Sequence, residues 1–133
     1  MRRFLIFRTD RIGDFIASKI IIESIKSENK NNKIDIVCSK YNEKYISHYN
    51  SINNLFILEK RNLINYLKNI KLLSNFKYDY LILLDGKRRS LIFSFFIKEN
   101  LKILLFKRQS LSLFIAKLFS YNIFFNSEKN FQF

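Results

Sequence analysis

The chain has 133 residues, 48% of them hydrophobic, which is enough for one domain with its own core and argues against intrinsic disorder. Its 24 Lys and Arg against 11 Asp and Glu give a formal net charge of +13, and its single cysteine excludes an internal disulfide or a multi-cysteine metal site. No apolar run reaches the roughly 18 residues of a membrane-spanning helix, and the first residues lack the pattern of a signal peptide, so we expect a cytoplasmic protein.

Short apolar strands alternate with helical stretches along the chain. The first strand, residues 3–8, is a continuous apolar run bounded by charge, and helical spacing of apolar residues follows from Asp14 to a turn at residues 29–33. The later elements are predicted as a strand at 34–38, a helix at 42–49, a strand at 55–58, a helix at 63–74, a strand at 79–84, a helix at 90–98, a strand at 102–106, a helix at 110–119 and a short strand near 122–125. This alternation is typical of right-handed βαβ units. It predicts an α/β, Rossmann-like fold with an open, mostly parallel sheet and helices on both faces.

Ligands of such sheets bind outside the carboxyl ends of the strands, which draws attention to the loops at residues 9–14 and 85–90. The first loop contains a single glycine, Gly13, so it lacks the glycine pattern of a Walker or dinucleotide-binding loop. Asp14 follows at the start of a helix. It has two interpretations, a helix cap or a general base in the crevice.

The second loop carries three consecutive basic residues, Lys87, Arg88 and Arg89. Basic side chains at the carboxyl end of a strand can bind the phosphates or carboxylates of a ligand. An equally simple interpretation is that these three residues form a solvated surface without a ligand. The aromatic and apolar residues interleaved with charge over residues 91–119 are expected mainly in the core. A minority interpretation is a surface that rests on anionic lipid headgroups.

Two further residues have ordinary structural interpretations. Cys38 ends a predicted buried strand, where it acts as a small hydrophobic residue. His48 is the only histidine and has no acidic partner at metal-ligand spacing, so we expect a surface or packing role.

The two loops, taken in order, resemble one known family. An apolar first strand ends in Arg8-Thr9-Asp10-Arg11-Ile12-Gly13-Asp14, and a later strand that begins Tyr78-Asp79 runs into Asp85-Gly86-Lys87-Arg88-Arg89-Ser90. These motifs resemble the family 9 glycosyltransferases, the lipopolysaccharide heptosyltransferases. The resemblance covers about the first 108 residues.

The resemblance implies the amino-terminal half of a GT-B architecture, in which two Rossmann-like domains face each other across a cleft. Residues 1–133 would form a single acceptor-side domain, and the carboxyl-terminal nucleotide-sugar domain would be absent from this chain. The implied reaction is inverting, metal-independent transfer of a sugar, heptose from the co-substrate ADP-heptose, with no cofactor. The implied acceptor is a lipopolysaccharide core or a related acidic glycan or lipid-linked molecule, which suggests peripheral attachment to the inner face of the membrane.

The resemblance also implies a role for individual residues. Asp14 takes the place of the family's catalytic base, and the loop backbone at Ile12 and Gly13 would border the donor phosphates. The implied acceptor-binding residues are Lys87, Arg88, Arg89 and Ser90. The implied supports of the first loop are Arg8, Asp10 and Arg11, and no metal ligand is implied.

Two other functions stay open on sequence grounds. The net charge and the 17% aromatic residues allow a basic module that binds nucleic acid or an anionic membrane. The chain has no helix-turn-helix, zinc-finger spacing or RNP-type aromatic motif, which disfavours nucleic acid. The third hypothesis is a truncated remnant that folds but catalyses nothing, because an active site between two domains would be half present.

Overall fold

Six strands and four helices alternate along the part of the chain that the structure, a computed structural model, describes: residues 1–106 and 122–125. In chain order these elements are β1 (Arg3–Arg8), α1 (Ile12–Glu28), β2 (Lys33–Ser39), α2 (Lys40–Ile46), β3 (Asn54–Leu58), α3 (Leu63–Ser74), β4 (Tyr78–Leu83), α4 (Arg88–Ser94), β5 (Glu99–Phe106) and β6 (Asn122–Phe125). None of the helices in these two ranges is long and apolar enough to cross a bilayer.

The strands form one sheet in the order β3-β2-β1-β4-β5-β6, and every neighbouring pair is parallel. Phe7 near the end of β1 lies opposite Val37 of β2 and Leu83 of β4. The direction in which the chain adds strands reverses between β1 and β4. Because ligands of doubly wound sheets bind at this reversal, the carboxyl ends of β1 and β4 are the expected position of a site. The predicted Rossmann-like α/β fold is confirmed.

The core has two layers, one on each face of the sheet. Residues of β1 alternate between them: Phe4 and Ile6 pack with α1 and α2, whereas Leu5 and Phe7 pack with α3 and α4. All four side chains are at most 6% exposed. A strand buried on both faces needs apolar residues at every position, which explains the continuous apolar run of β1.

Most predicted elements are confirmed, with shifted ends. Helix α1 begins at Ile12, two residues earlier than predicted, after Arg11 in an extended conformation. Helix α4 covers Arg88–Ser94 instead of 90–98, because the next backbone amides, from Phe95 to Ile97, bond three residues back and tighten the chain into turns. Strand β5 begins at Glu99, three residues earlier than predicted. The short last strand is confirmed as β6, and the predicted helix at 110–119 lies outside the described residues.

A buried polar cluster joins the amino ends of four strands. The carboxylate of Asp35 in β2 is fully buried and accepts hydrogen bonds from Arg3 Nε (2.8 Å), Asn54 Nδ2 (2.8 Å) and the Tyr78 hydroxyl (2.9 Å). Burial and the charge of Asp35 raise the pKa of Tyr78. A buried carboxylate with this many donors is well compensated, so the cluster fixes the strands at the edge opposite the expected site.

Candidate functional site

A cleft of about 680 Å³ opens at the carboxyl edge of the sheet. Residues 9–14 after β1 form one wall, and Lys87 comes from the loop after β4. Ser39, Tyr41 and Asn42 contribute from the end of β2, and Lys60 from the loop after β3. Four successive strand ends therefore meet at one concave surface, as the topology predicts.

Arg8 connects the two sides of the strand reversal. Its Nη1 donates a hydrogen bond to the carbonyl of Leu84 (2.7 Å), and its Nη2 donates to the carbonyl of Asp14 (2.8 Å). Its Nε lies 3.2 Å from Asp10 Oδ1, a charge pair without hydrogen-bond alignment in which both atoms are buried. These contacts join the end of β1, the end of β4 and the first turn of α1.

Asp10 is half-buried in the first loop. Its carbonyl accepts a hydrogen bond from Asn42 Nδ2 (2.6 Å), so the loop is tied to α2. Burial raises the pKa of the Asp10 carboxyl, Arg8 opposes the rise, and the charges of Asp14 and Asp85 add to it. Asp10 is therefore in contact with α2 through its carbonyl and with Arg8 through its carboxylate.

Asp14 lies in the first turn of α1, while Arg11, whose side chain makes no capping bond, is the N-cap residue. The Asp14 side chain is 50% exposed, and its Oδ1 is 3.7 Å from Arg8 Nη2, too far for a hydrogen bond. A carboxylate in the first turn of a helix is stabilised by the helix dipole. Asp14 thus presents an accessible carboxylate in the cleft wall, able to accept a proton from a bound hydroxyl.

Gly13 is not required by the fold. It lies inside α1 without a positive φ, and a β-carbon added there would meet no atom within 4 Å. Ile12 and Gly13, at the start of α1, both line the cleft, and the space beside Gly13 is open.

Asp85 links the two loops, a role that the sequence analysis missed. Its Oδ2 accepts hydrogen bonds from Thr9 Oγ1 and from Ser90 Oγ, both at 2.5 Å, and its Oδ1 accepts from the backbone amide of Lys87 (3.2 Å). The intervening Gly86 has a φ of 58°, which favours glycine. The signal that could have found it is the position of a carboxylate two residues after a buried strand, at the carboxyl edge of the sheet.

The structure separates the four residues proposed to bind the acceptor. Lys87 lines the cleft, where its Nζ donates to the carbonyl of Thr9 (2.8 Å). Burial lowers the pKa of Lys87, and the charge of Asp85 opposes this shift. Arg88 is exposed and Arg89 half-buried, both outside the cleft wall, whereas Ser90 is fully buried and engaged by Asp85.

Two residues that the sequence analysis did not select stand in the cleft instead. Tyr41 is 79% exposed and follows β2 closely, and Lys60 is exposed two residues after β3. Ligands of such sheets bind at the carboxyl ends of the strands, and applying this rule to β2 and β3 as well would have selected Tyr41 and Lys60. They add an aromatic face and, after Arg11 and Lys87, a third cation to the cleft wall.

Cys38 and His48 match their structural interpretations. Cys38 is buried, and burial raises the pKa of its thiol to about 12, so little reactive thiolate forms near neutrality. His48 is exposed, with Nδ1 2.6 Å from the carbonyl of Lys44 one helical turn earlier.

Comparison with solved structures identifies several proteins with this fold. A family 9 glycosyl transferase from Veillonella parvula has a TM-score of 0.74 and 14% identity, covering 94% of this chain and 36% of its own. The E. coli heptosyltransferase WaaC with ADP has a TM-score of 0.74 and 18% identity, covering 91% of this chain and 40% of its own. The E. coli ADP-heptose lps heptosyltransferase II has a TM-score of 0.65 and 15% identity, covering 79% of this chain and 30% of its own. No protein-family model and no curated protein matches the sequence.

The structural neighbours are the glycosyltransferases that the two loop motifs resemble, so the resemblance is confirmed at the level of the fold. The chain spans about two-fifths or less of the length of these proteins. Its fold is similar to a part of each of these glycosyltransferases.

Proposed function

We propose that this chain is the acceptor-side domain of a glycosyltransferase that moves a sugar, heptose from ADP-heptose, onto a lipopolysaccharide core or a related acidic glycan. The accessible carboxylate of Asp14 carries the proposal, because it lies at the strand reversal of a fold shared with sugar transferases. One of those neighbours was solved with ADP and with ADP-2-deoxy-2-fluoro heptose.

In the proposed reaction, Asp14 acts as a general base. Its carboxylate takes the proton of an acceptor hydroxyl while the hydroxyl oxygen attacks the anomeric carbon of the donor. The bond from that carbon to the donor phosphate breaks, the nucleoside diphosphate leaves with the electron pair, and the anomeric configuration inverts. Arg8 positions the base through its 2.8 Å hydrogen bond to the Asp14 carbonyl. No metal and no cofactor take part.

The acceptor is proposed to be acidic because cations face the cleft. Lys60 and Lys87 line it from the loops after β3 and β4. Arg88 and Arg89, next to Lys87 but outside the cleft wall, extend the positive surface towards a longer glycan. The exposed ring of Tyr41 offers an apolar face on which a sugar can stack.

The donor is proposed to be shared with a second domain. In this chain, the open backbone at Ile12 and Gly13 would border the donor phosphates. The nucleotide itself would bind to a carboxyl-terminal domain, since the chain spans 40% of the length of WaaC. Catalysis then requires both domains, and a lipid-linked acceptor would bring the cytoplasmic enzyme to the inner face of the membrane.

The decisive substitution is Asp14→Asn. We expect it to reduce transfer from ADP-heptose to a core-oligosaccharide acceptor by about a hundredfold or more, the range of general-base contributions. The assay uses this domain together with its donor-binding domain. Glu23→Gln, which removes an exposed carboxylate from the same helix, is the matched control and should leave transfer unchanged. Equal activity of the two variants would contradict the role of Asp14.

The acceptor side is tested by binding to this chain alone. A titration with an acidic core oligosaccharide, followed by backbone amide NMR shifts, should perturb residues around Lys60 and Lys87. Lys60→Ala and Lys87→Ala should weaken binding and, in the transfer assay, raise KM more than they lower kcat. Shifts confined to the opposite edge of the sheet would contradict an acceptor site in the cleft.

A further inference from the structure

Helix α3 exposes large apolar side chains to solvent. Leu63 is 79% exposed, Ile64 80% and Leu67 67%, all within the first two turns. Leu72 near the other end is 42% exposed. These residues are not part of the cleft wall, and the proposed chemistry does not use them.

The exposed residues form a continuous surface. At 100° per residue, Leu63, Ile64 and Leu67 fall on one side of α3, and the exposed Lys68 and Lys71 lie on the same side. The other side holds Leu73, which is fully buried against the sheet. A helix that is apolar on both sides is typical of a membrane or of a buried position, not of a surface in water.

Most of the charge around α3 is positive, and the one acidic side chain at its start is Glu59, which accepts a hydrogen bond from the N-cap residue Asn62. Residues 60–77 contain five basic side chains and no acidic one. The neighbouring helix α4 packs beside α3 through the rings of Tyr66 and Phe93, 5.9 Å apart. Ile92 of α4 is 56% exposed, and Phe96 in the turn after α4 is 60% exposed. An apolar surface flanked by cations complements the boundary between anionic headgroups and acyl chains.

We propose that α3 is an interfacial helix that rests on an anionic lipid bilayer. The side chains of Leu63, Ile64 and Leu67 insert below the headgroups, and the surrounding lysines contact lipid phosphates. Helix α1 also exposes apolar side chains, those of Ile16 and Ile20. The acidic Glu23 follows them on the same helix, so α1 does not combine apolar residues with positive charge alone. The inference depends on the surface of α3 alone and not on the proposed reaction.

The position of α3 relates the bilayer to the cleft. The helix begins five residues after β3 ends, at the carboxyl edge of the sheet, and Lys60 between them lines the cleft. A membrane beneath the first turns of α3 would therefore lie beside the mouth of the cleft. If the proposed function holds, a lipid-linked acceptor could reach the site without leaving the bilayer.

The experiment is co-sedimentation of the chain with phosphatidylcholine vesicles that contain or lack about 30% of the anionic lipid phosphatidylglycerol. We expect binding to the anionic vesicles that weakens with added salt. The triple variant Leu63→Gln, Ile64→Gln, Leu67→Gln should reduce the fraction bound by about tenfold or more, since it removes three inserted apolar groups. The matched control, Ile16→Gln with Ile20→Gln, should bind like the wild type.

Circular dichroism of each variant establishes that it is folded. Absence of binding to anionic vesicles by the wild type would overturn the proposal, as would equal binding to vesicles without phosphatidylglycerol. Equal loss in both variants would overturn the placement on α3. A wild-type dimer that the triple variant converts to monomer, without lipid binding, would assign the surface to a second copy instead. Lipid binding and sugar transfer are separate readouts, so failure of one does not imply failure of the other.

Discussion

Replacing Gly13 by alanine should stabilise the folded chain, whereas replacing Gly86 should destabilise it. Gly13 lies in α1 with open space around the position of a β-carbon, so alanine there adds no clash and lowers the entropy of the unfolded state. We expect a gain of about 0.5–1 kcal/mol in the free energy of unfolding. Gly86 has a φ of 58°, where a β-carbon is strained, and alanine there should cost about 1–2 kcal/mol.

The measurement is urea unfolding followed by far-UV circular dichroism, with both variants and the wild type at the same pH. Equal m-values are required, so that the difference in midpoint reports stability and not a change in the compactness of the unfolded state. A destabilised Gly13→Ala variant would refute the reasoning, because it would mean that the β-carbon meets atoms or that the backbone at Gly13 departs from helical geometry.

The same substitution separates stability from function. Gly13 lines the cleft, and the donor phosphates are proposed to approach its backbone. Gly13→Ala should therefore lower transfer while it raises stability, a combination that a purely structural role does not produce. Full activity in the stabilised variant would remove Gly13 from the proposed donor site.

Two further predictions concern the core. Asp35→Ala should lower the free energy of unfolding by about 3–5 kcal/mol, because it leaves Arg3 and Tyr78 without their shared acceptor. Tyr78→Phe removes one hydrogen bond to the Asp35 carboxylate and should lower the free energy of unfolding by about 1.5–3 kcal/mol. A larger loss of stability in Tyr78→Phe than in Asp35→Ala would contradict this prediction. Cys38 should react with a thiol reagent at pH 8 only after unfolding, and rapid labelling of the folded chain would contradict its burial. Its pKa rises from 9.0 to about 12 on folding, so the unfolded thiol ionises first, and stability should fall above pH 9 by up to about 1.4 kcal/mol per pH unit relative to Cys38→Ala.

The local pattern of the sequence was sufficient for the architecture. A continuous apolar run such as β1 has few alternatives to a strand buried on both faces, and helical spacing after Asp14 indicates α1. Once strands and helices alternate, the handedness of βαβ units leaves few topologies, and the carboxyl edge becomes the expected site. For the same reason the sequence alone was enough to select the loops at 9–14 and 85–90.

Tertiary structure decided which side chains reach the cleft and which surfaces stay exposed. Lys87 is the N-cap residue of α4 and Ser90 lies three residues later in its first turn, yet Ser90 is buried and donates a hydrogen bond to Asp85, whereas Lys87 lines the cleft. Helix α3 contains apolar residues on both sides, so its periodicity could not show which side packs on the sheet and which faces water. The physical reason is that spacing along the chain reflects local backbone geometry, whereas exposure depends on contacts between residues far apart in sequence.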